Sequence, residues 1–171
     1  PRSLNNGNGF DGGPMFEALK YPARATPIIL ADGVEAELIK AEAQLKAGDA
    51  GGFLARLNGL RSNAAVLAAR GYTGSLAALT DPGSDVARQN LLFRERAYWL
   101  FLTAHRVGDL RRMIRQYGRG AESVFPTGSY SSNGRSTIYG TDTSFPIPVE
   151  ELNNPQTPQD PSPALKGCLN R

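Results

Sequence analysis

The sequence predicts an all-α fold with a long irregular C-terminal wrap, and three observations carry that prediction. Apolar residues recur at helical spacing after Asp32 and again after Asp49. A long apolar-periodic stretch follows Asp81–Pro82 and runs into the arginine-rich segment that ends near Tyr117. Glycine, proline and asparagine gather outside these stretches, before residue 32 and after residue 117. Three regions follow: an irregular lead-in over 1–31, a helical-repeat domain over 32–117, and a Pro/Gly/Ser-rich segment over 118–171 packing on the helices.

The lead-in has no sustained period, and Thr26–Leu30 reads as a short extended piece. Asp32 is a good N-cap, with Val34, Leu38, Ala41 and Leu45 on one face of the helix it opens and Gly48 as its stop. Asp49 caps a second helix at once, with Phe53, Leu57 and Leu60 on its face, although Gly51, Gly52 and Gly59 lower its propensity. A link this short requires the two helices to run antiparallel. Residues 64–80 are Ala-rich but broken by Gly71-Tyr72-Thr73-Gly74, so helix and loop both remain open there.

Asp81 with Pro82 at the first helical position predicts the start of the next helix. Val86, Phe93, Ala97, Leu100 and Ala104 make one stripe on it, and Leu92, Trp99 and Leu102 a second. A helix apolar on most of its circumference must be gripped by neighbours, so Phe93–Leu102 are expected to be enclosed. Val107, Leu110, Ile114 and Tyr117 restart the stripe, which reads as a second helix after a bend at Gly108 or as a kinked continuation. Helix pairs of about 34 residues, with Ala and Gly at tight crossings, have the look of tetratricopeptide-type repeats. The tail contains seven prolines from residue 118 onward and no helical period, so it is expected to wrap back over the helices.

The formal net charge of +3 is unevenly placed: eight arginines lie between Arg88 and Arg119 against only Glu95 and Asp109. Nucleic-acid binding needs such basic residues interleaved with stacking aromatics or set in a known motif, and neither is present. The apolar run Ala97–Ala104 is far short of the ~20 residues that span a bilayer and is bounded by Arg94, Arg96 and Arg106, which points to a buried helix. His105 is the only histidine, so no His-based zinc site and no Ser-His-Asp or Cys-His arrangement is expected; it reads as a packing residue at the bend. Cys168 is the only cysteine and has no internal disulfide partner, which leaves self-association between chains open to it. Glu150 and Glu151 follow Pro146-Ile147-Pro148 and read as caps of a short turn or helix.

Three stretches, in this order, carry a resemblance to a known family. The first is AELIKAEAQLKAGD followed by ARLNGLRSNA, similar to a helical repeat with "AEA" and "N-x-x-R" elements. The second is RERAYWLFLTAHRVGDLRR, which resembles the signature "ER-x-x-E-L-x-x-E-G-x-R-x-x-D-L-R-R". The third is FPIPVEELNNPQ, which resembles a closing "PIP-x-x-E-(hydrophobic)-x-x-NP". Together they resemble the C-terminal portion of the SusD/RagB family, surface-exposed nutrient-binding lipoproteins of Bacteroidota-type outer membranes. The similarity covers about residues 25–160. The chain departs from the signature at Trp99 and Leu100, at Thr103 and Ala104, and at Val107.

The resemblance implies a non-catalytic protein, without metal or cofactor, that captures glycan or other oligomeric nutrients for a SusC-like, TonB-dependent transporter at the outer membrane. Any lipid anchor then belongs to an N-terminal region outside this sequence. No catalytic constellation is expected. Glu95, Arg106 and Asp109 are read as a structural motif: Arg106 and Asp109 stand at a spacing where opposite charges meet, with Glu95 toward Arg94 and Arg96, and together they pin the bend. Tyr130 and Tyr139, set among small polar residues, are candidate residues for stacking on an oligosaccharide or peptide ligand. The competing expectation is a stand-alone helical-repeat module for protein interaction or self-assembly.

Overall fold

The computed structural model describes residues 3–10, 12–132, 135–141 and 143. The fold is mixed, which corrects the all-α expectation: among the described residues six helices stand beside two small antiparallel sheets of two strands each. The chain divides into two compact units, Pro1–Arg106 and Val107–Arg171.

The first unit opens on a hairpin, β1 (Ser3–Asn8) and β2 (Pro14–Ala18), inside the region expected to be irregular. Ser3 pairs with Ala18 and Asn5 with Phe16, and the register shifts between Asn5 and Asn8. Leu4 and Phe16 are exposed. No core selects one face of this ribbon, so the alternation that marks a half-buried strand never entered its sequence. Thr26–Leu30, expected to be extended, forms no strand.

Helix α1 (Gly33–Lys46) begins where its capping chemistry places it, with the Asp32 carboxylate accepting from the Glu35 N–H at 2.9 Å. Such a cap contributes about 1 kcal/mol. Gly48 ends the turn at φ +80°, a conformation that costs a Cβ-bearing residue dearly. Helix α2 (Ala50–Ser62) is capped by Asp49, which accepts from the Gly52 N–H at 2.8 Å. A Cβ on Gly52 would collide with that carboxylate, so the glycine that weakens the helix is required by its cap. The two helices pack on each other through Val34, Leu38 and Ala41 on one side and Phe53, Leu57 and Leu60 on the other.

The open stretch resolves into a short helix, α3 (Ala64–Ala69), capped by Asn63, and a loop pinned along α2. The Asn58 amide donates to the Leu79 carbonyl at 3.0 Å and accepts from the Leu79 N–H at 2.7 Å. Arg61 adds a bond to the Ala77 carbonyl, and its own carbonyl accepts from the Leu76 N–H.

Helix α4 (Asp85–Trp99) starts three residues later than predicted, capped by Ser84. Asp81 instead closes an Asp-Pro-Gly turn by accepting from the Gly83 N–H, with Gly83 at φ +83°. The helix also ends early. Leu100 is its C-cap, and Leu102 and Ala104 take φ +57° and +62°, so the predicted bend at Gly108 lies in fact at residues 100–105. Gly108 sits within the following helix. Leu91, Leu92, Trp99 and Leu100 join the core, whereas Tyr98 and Leu102 are 59% and 47% exposed. The expectation that all of Phe93–Leu102 is enclosed therefore fails: one face is buried and the end of the run faces outward.

In the second unit, α5 (Arg106–Tyr117) places Leu110 in a buried position and gives way at Gly118, φ +65°. A single turn, α6 (Ala121–Val124), leads to the second hairpin, β3 (Ser129–Ser132) and β4 (Arg135–Ile138), within the segment expected to be coil. Its register runs from Ser129 opposite Ile138 to Ser132 opposite Arg135. Among the described residues no helix is long and apolar enough to cross a membrane.

Candidate functional site

The best-defined polar constellation lies in the first unit, around Glu95. This carboxylate is 2% exposed, and a buried charge demands partners. Arg61 Nη1 donates to both of its oxygens at 3.1 Å, and Trp99 Nε1, one turn along α4, donates to Oε2 at 3.2 Å. Arg94 and Arg96, expected nearby, are adjacent in sequence and so point to other sides of the helix. Arg61 belongs to the "N-x-x-R" element Asn58–Arg61 and Glu95 to the "ER" element of the second stretch, so two motifs 34 residues apart meet in one ion pair.

The carbonyls left open by the end of α4 are met by side chains from distant parts of the chain. Arg70 donates to the Trp99 carbonyl and pairs with Asp32. Lys20 donates to the Phe101 carbonyl, and the Tyr21 hydroxyl to that of Leu102 at 2.9 Å. Cations suit this end of a helix, where the macrodipole is negative. Nothing local in the sequence signals these bonds, because each joins positions 29 to 81 residues apart.

His105 is half-buried, with Nε2 2.8 Å from Glu35 Oε1 and Nδ1 2.8 Å from Thr103 Oγ1. Hydroxyl, imidazole and carboxylate thus follow in the order of a nucleophilic triad. The Thr103 hydroxyl also lies 2.6 Å from the Leu100 carbonyl and bonds to it, so it serves to fold the turn back on itself. The histidine ties the turn after α4 to the first turn of α1.

Beside Glu95 lies a cavity of about 490 Å³, walled by Tyr72, Tyr98, Trp99 and Phe101 and floored by aliphatic residues such as Leu67 and Leu76. Lys20, Arg61 and Arg70 also reach it. No sequence pattern announced this cavity, since its walls come from the lead-in, α2, α3, the following loop and α4.

Of the other predicted residues, Asp109 is buried and pairs with Arg112 at 3.1 Å, while Arg106 is exposed. The charges read as one motif are thus shared between separate ion pairs: Glu95 with Arg61, and Asp109 with Arg112. Tyr130 and Tyr139 come together on the second hairpin, ring centroids 4.4 Å apart and planes tilted by 32°, both partly exposed. They are diagonal neighbours across the register, which puts them on one face. Cys168, Glu150, Glu151 and the stretch FPIPVEELNNPQ lie outside the described residues. Among the described residues no group of acidic, histidine and cysteine side chains is placed to hold a metal ion. No protein-family model, curated protein or solved structure matches the chain.

Proposed function

We propose that the chain is part of a non-catalytic surface binding protein of SusD/RagB type, which captures glycan or other oligomeric nutrients for a TonB-dependent outer-membrane transporter. The observation that carries this reading is the Arg61–Glu95 pair. It joins the "N-x-x-R" element to the "ER" element through a nearly buried contact, so the first two resembling stretches act as parts of one construction. The paired, partly exposed rings of Tyr130 and Tyr139 support the binding half of the proposal, because adjacent aromatic faces among small polar residues suit stacking on a sugar ring.

The test uses the full-length protein in outer membranes. Co-purification with a TonB-dependent barrel, together with calorimetric binding of at least one member of a mixed oligosaccharide and peptide panel, is expected. Tyr130→Ala with Tyr139→Ala should weaken that binding. A protein that binds no panel member and no barrel, but self-associates in a reductant-sensitive manner through Cys168, would instead fit a helical-repeat assembly module.

A further inference from the structure

We infer that the cavity beside Trp99 is a binding site for a small ligand with a flat apolar body and a single carboxylate. Its volume of about 490 Å³ falls in the range of small-molecule pockets, and its walls are largely aromatic and aliphatic. The polar groups that reach it are few, and their charges do not balance. Arg61 is paired with Glu95, and Arg70 with Asp32. Lys20 makes no direct ion pair among the described residues, and Asp32, which is engaged by Arg70, acts on it only through space; its ammonium donates to the Phe101 carbonyl and lies 5.8 Å from the centre of the Tyr21 ring.

One cation at an apolar wall calls for one anion. Partial burial, and then the positive charge of Arg70, hold the Lys20 ammonium below its ordinary pKa against a smaller opposing pull from Asp32, and the negative charge of a bound carboxylate offsets both lowering effects. A neutral ring would desolvate that ammonium further without compensation, and a cation would be repelled. An unsubstituted sugar would leave most of its hydroxyls facing hydrocarbon. The inference stands apart from the nutrient-capture reading, because it needs neither transporter nor polymer.

Trp99 is the only tryptophan and lines this cavity, so in the folded chain a ligand bound there changes the tryptophan fluorescence. The full chain is titrated with phenylacetate, with its neutral analogue phenylacetamide, and with acetate. Phenylacetate should give a saturable change, phenylacetamide should bind about tenfold more weakly or worse, and acetate should give none. Lys20→Gln keeps a donor for the Phe101 carbonyl while removing the charge; it should abolish the preference for acid over amide and retain the fold, read by circular dichroism. Equal affinity for acid and amide in the parent chain, no saturable change with either, or a preference that survives in Lys20→Gln overturns the inference.

Discussion

Glu95 shows what a buried charge requires of its neighbours. Its two oxygens are engaged by Arg61 and Trp99, and removing a partner strands the carboxylate in low dielectric. Arg61→Ala is therefore expected to cost about 3–5 kcal/mol in urea unfolding, more than Arg61→Ala adds when Glu95 is already alanine. Equal costs in both backgrounds would dissolve the pair as a stabilising unit. At Asp81 the balance is set by proton binding. Hydrogen bonds from the Arg88 side chain and then the Gly83 N–H hold its pKa at about 2, below the ordinary 3.8. A carboxyl depressed in the folded state contributes stability that is present above pH 3.8 and lost as pH falls through about 2. Asp81→Asn should therefore lower the melting temperature near neutral pH and converge on the parent at about pH 2, with salt shrinking the difference because the group is exposed. Glu37, lowered by hydrogen bonds from Lys40 and then Arg56, adds to the acid sensitivity of the parent.

At the scale of elements, the end of α4 has an unusual backbone. Leu102 and Ala104 both occupy the left-handed region, where a Cβ costs roughly 1–2 kcal/mol, and three long-range side-chain bonds hold the turn in place. Ala104→Gly relieves one of these positions at some cost in unfolded-state entropy. It should raise stability by up to about 1 kcal/mol, measured by chemical denaturation; a loss would mean that the Ala104 methyl contributes more in packing than its conformation costs. This turn also marks the limit of what the sequence discloses. Asp32, Gly48 and Asp49 announce α1 and α2 through local capping chemistry, and their apolar faces are the faces that pack. The apolar run through Leu102 reads as continuous helix because periodicity registers hydrophobicity, and a turn whose carbonyls are capped from residues 20, 21 and 70 leaves no periodic trace. The two hairpins are missed for the related reason that neither is selected by a core. Asp81-Pro82 misleads because the same dipeptide begins helices and turns, and only the following Gly83 and Ser84 separate the two outcomes. Of the site, Tyr130 and Tyr139 could be nominated from composition, whereas Arg61, the partner of Glu95, could not.

At the scale of the molecule, the main core belongs to the first unit, where Leu38, Phe53, Leu57 and Leu92 are almost wholly buried among α1, α2, α3 and α4. Leu57→Ala should cost about 2–5 kcal/mol and shift the Trp99 fluorescence transition to lower denaturant. A loss under about 1 kcal/mol would indicate that the helices close over the gap. The loop along α2 is held at Leu76 and Ala77 by Arg61 and at Leu79 by the amide of Asn58, which acts toward Leu79 much as one strand residue acts toward another. Asn58 precedes Gly59, a pairing in which the next backbone nitrogen readily attacks the side-chain amide carbon, expels ammonia and forms a cyclic imide that water opens to aspartate or isoaspartate. In the helix the amide is gripped at both ends and the backbone cannot reach the cyclising geometry, so the native chain shields its own weak point from ageing. A molecule that ages while unfolded acquires a negative oxygen in place of the donor that the Leu79 carbonyl needs, and its seam comes unlaced at that end.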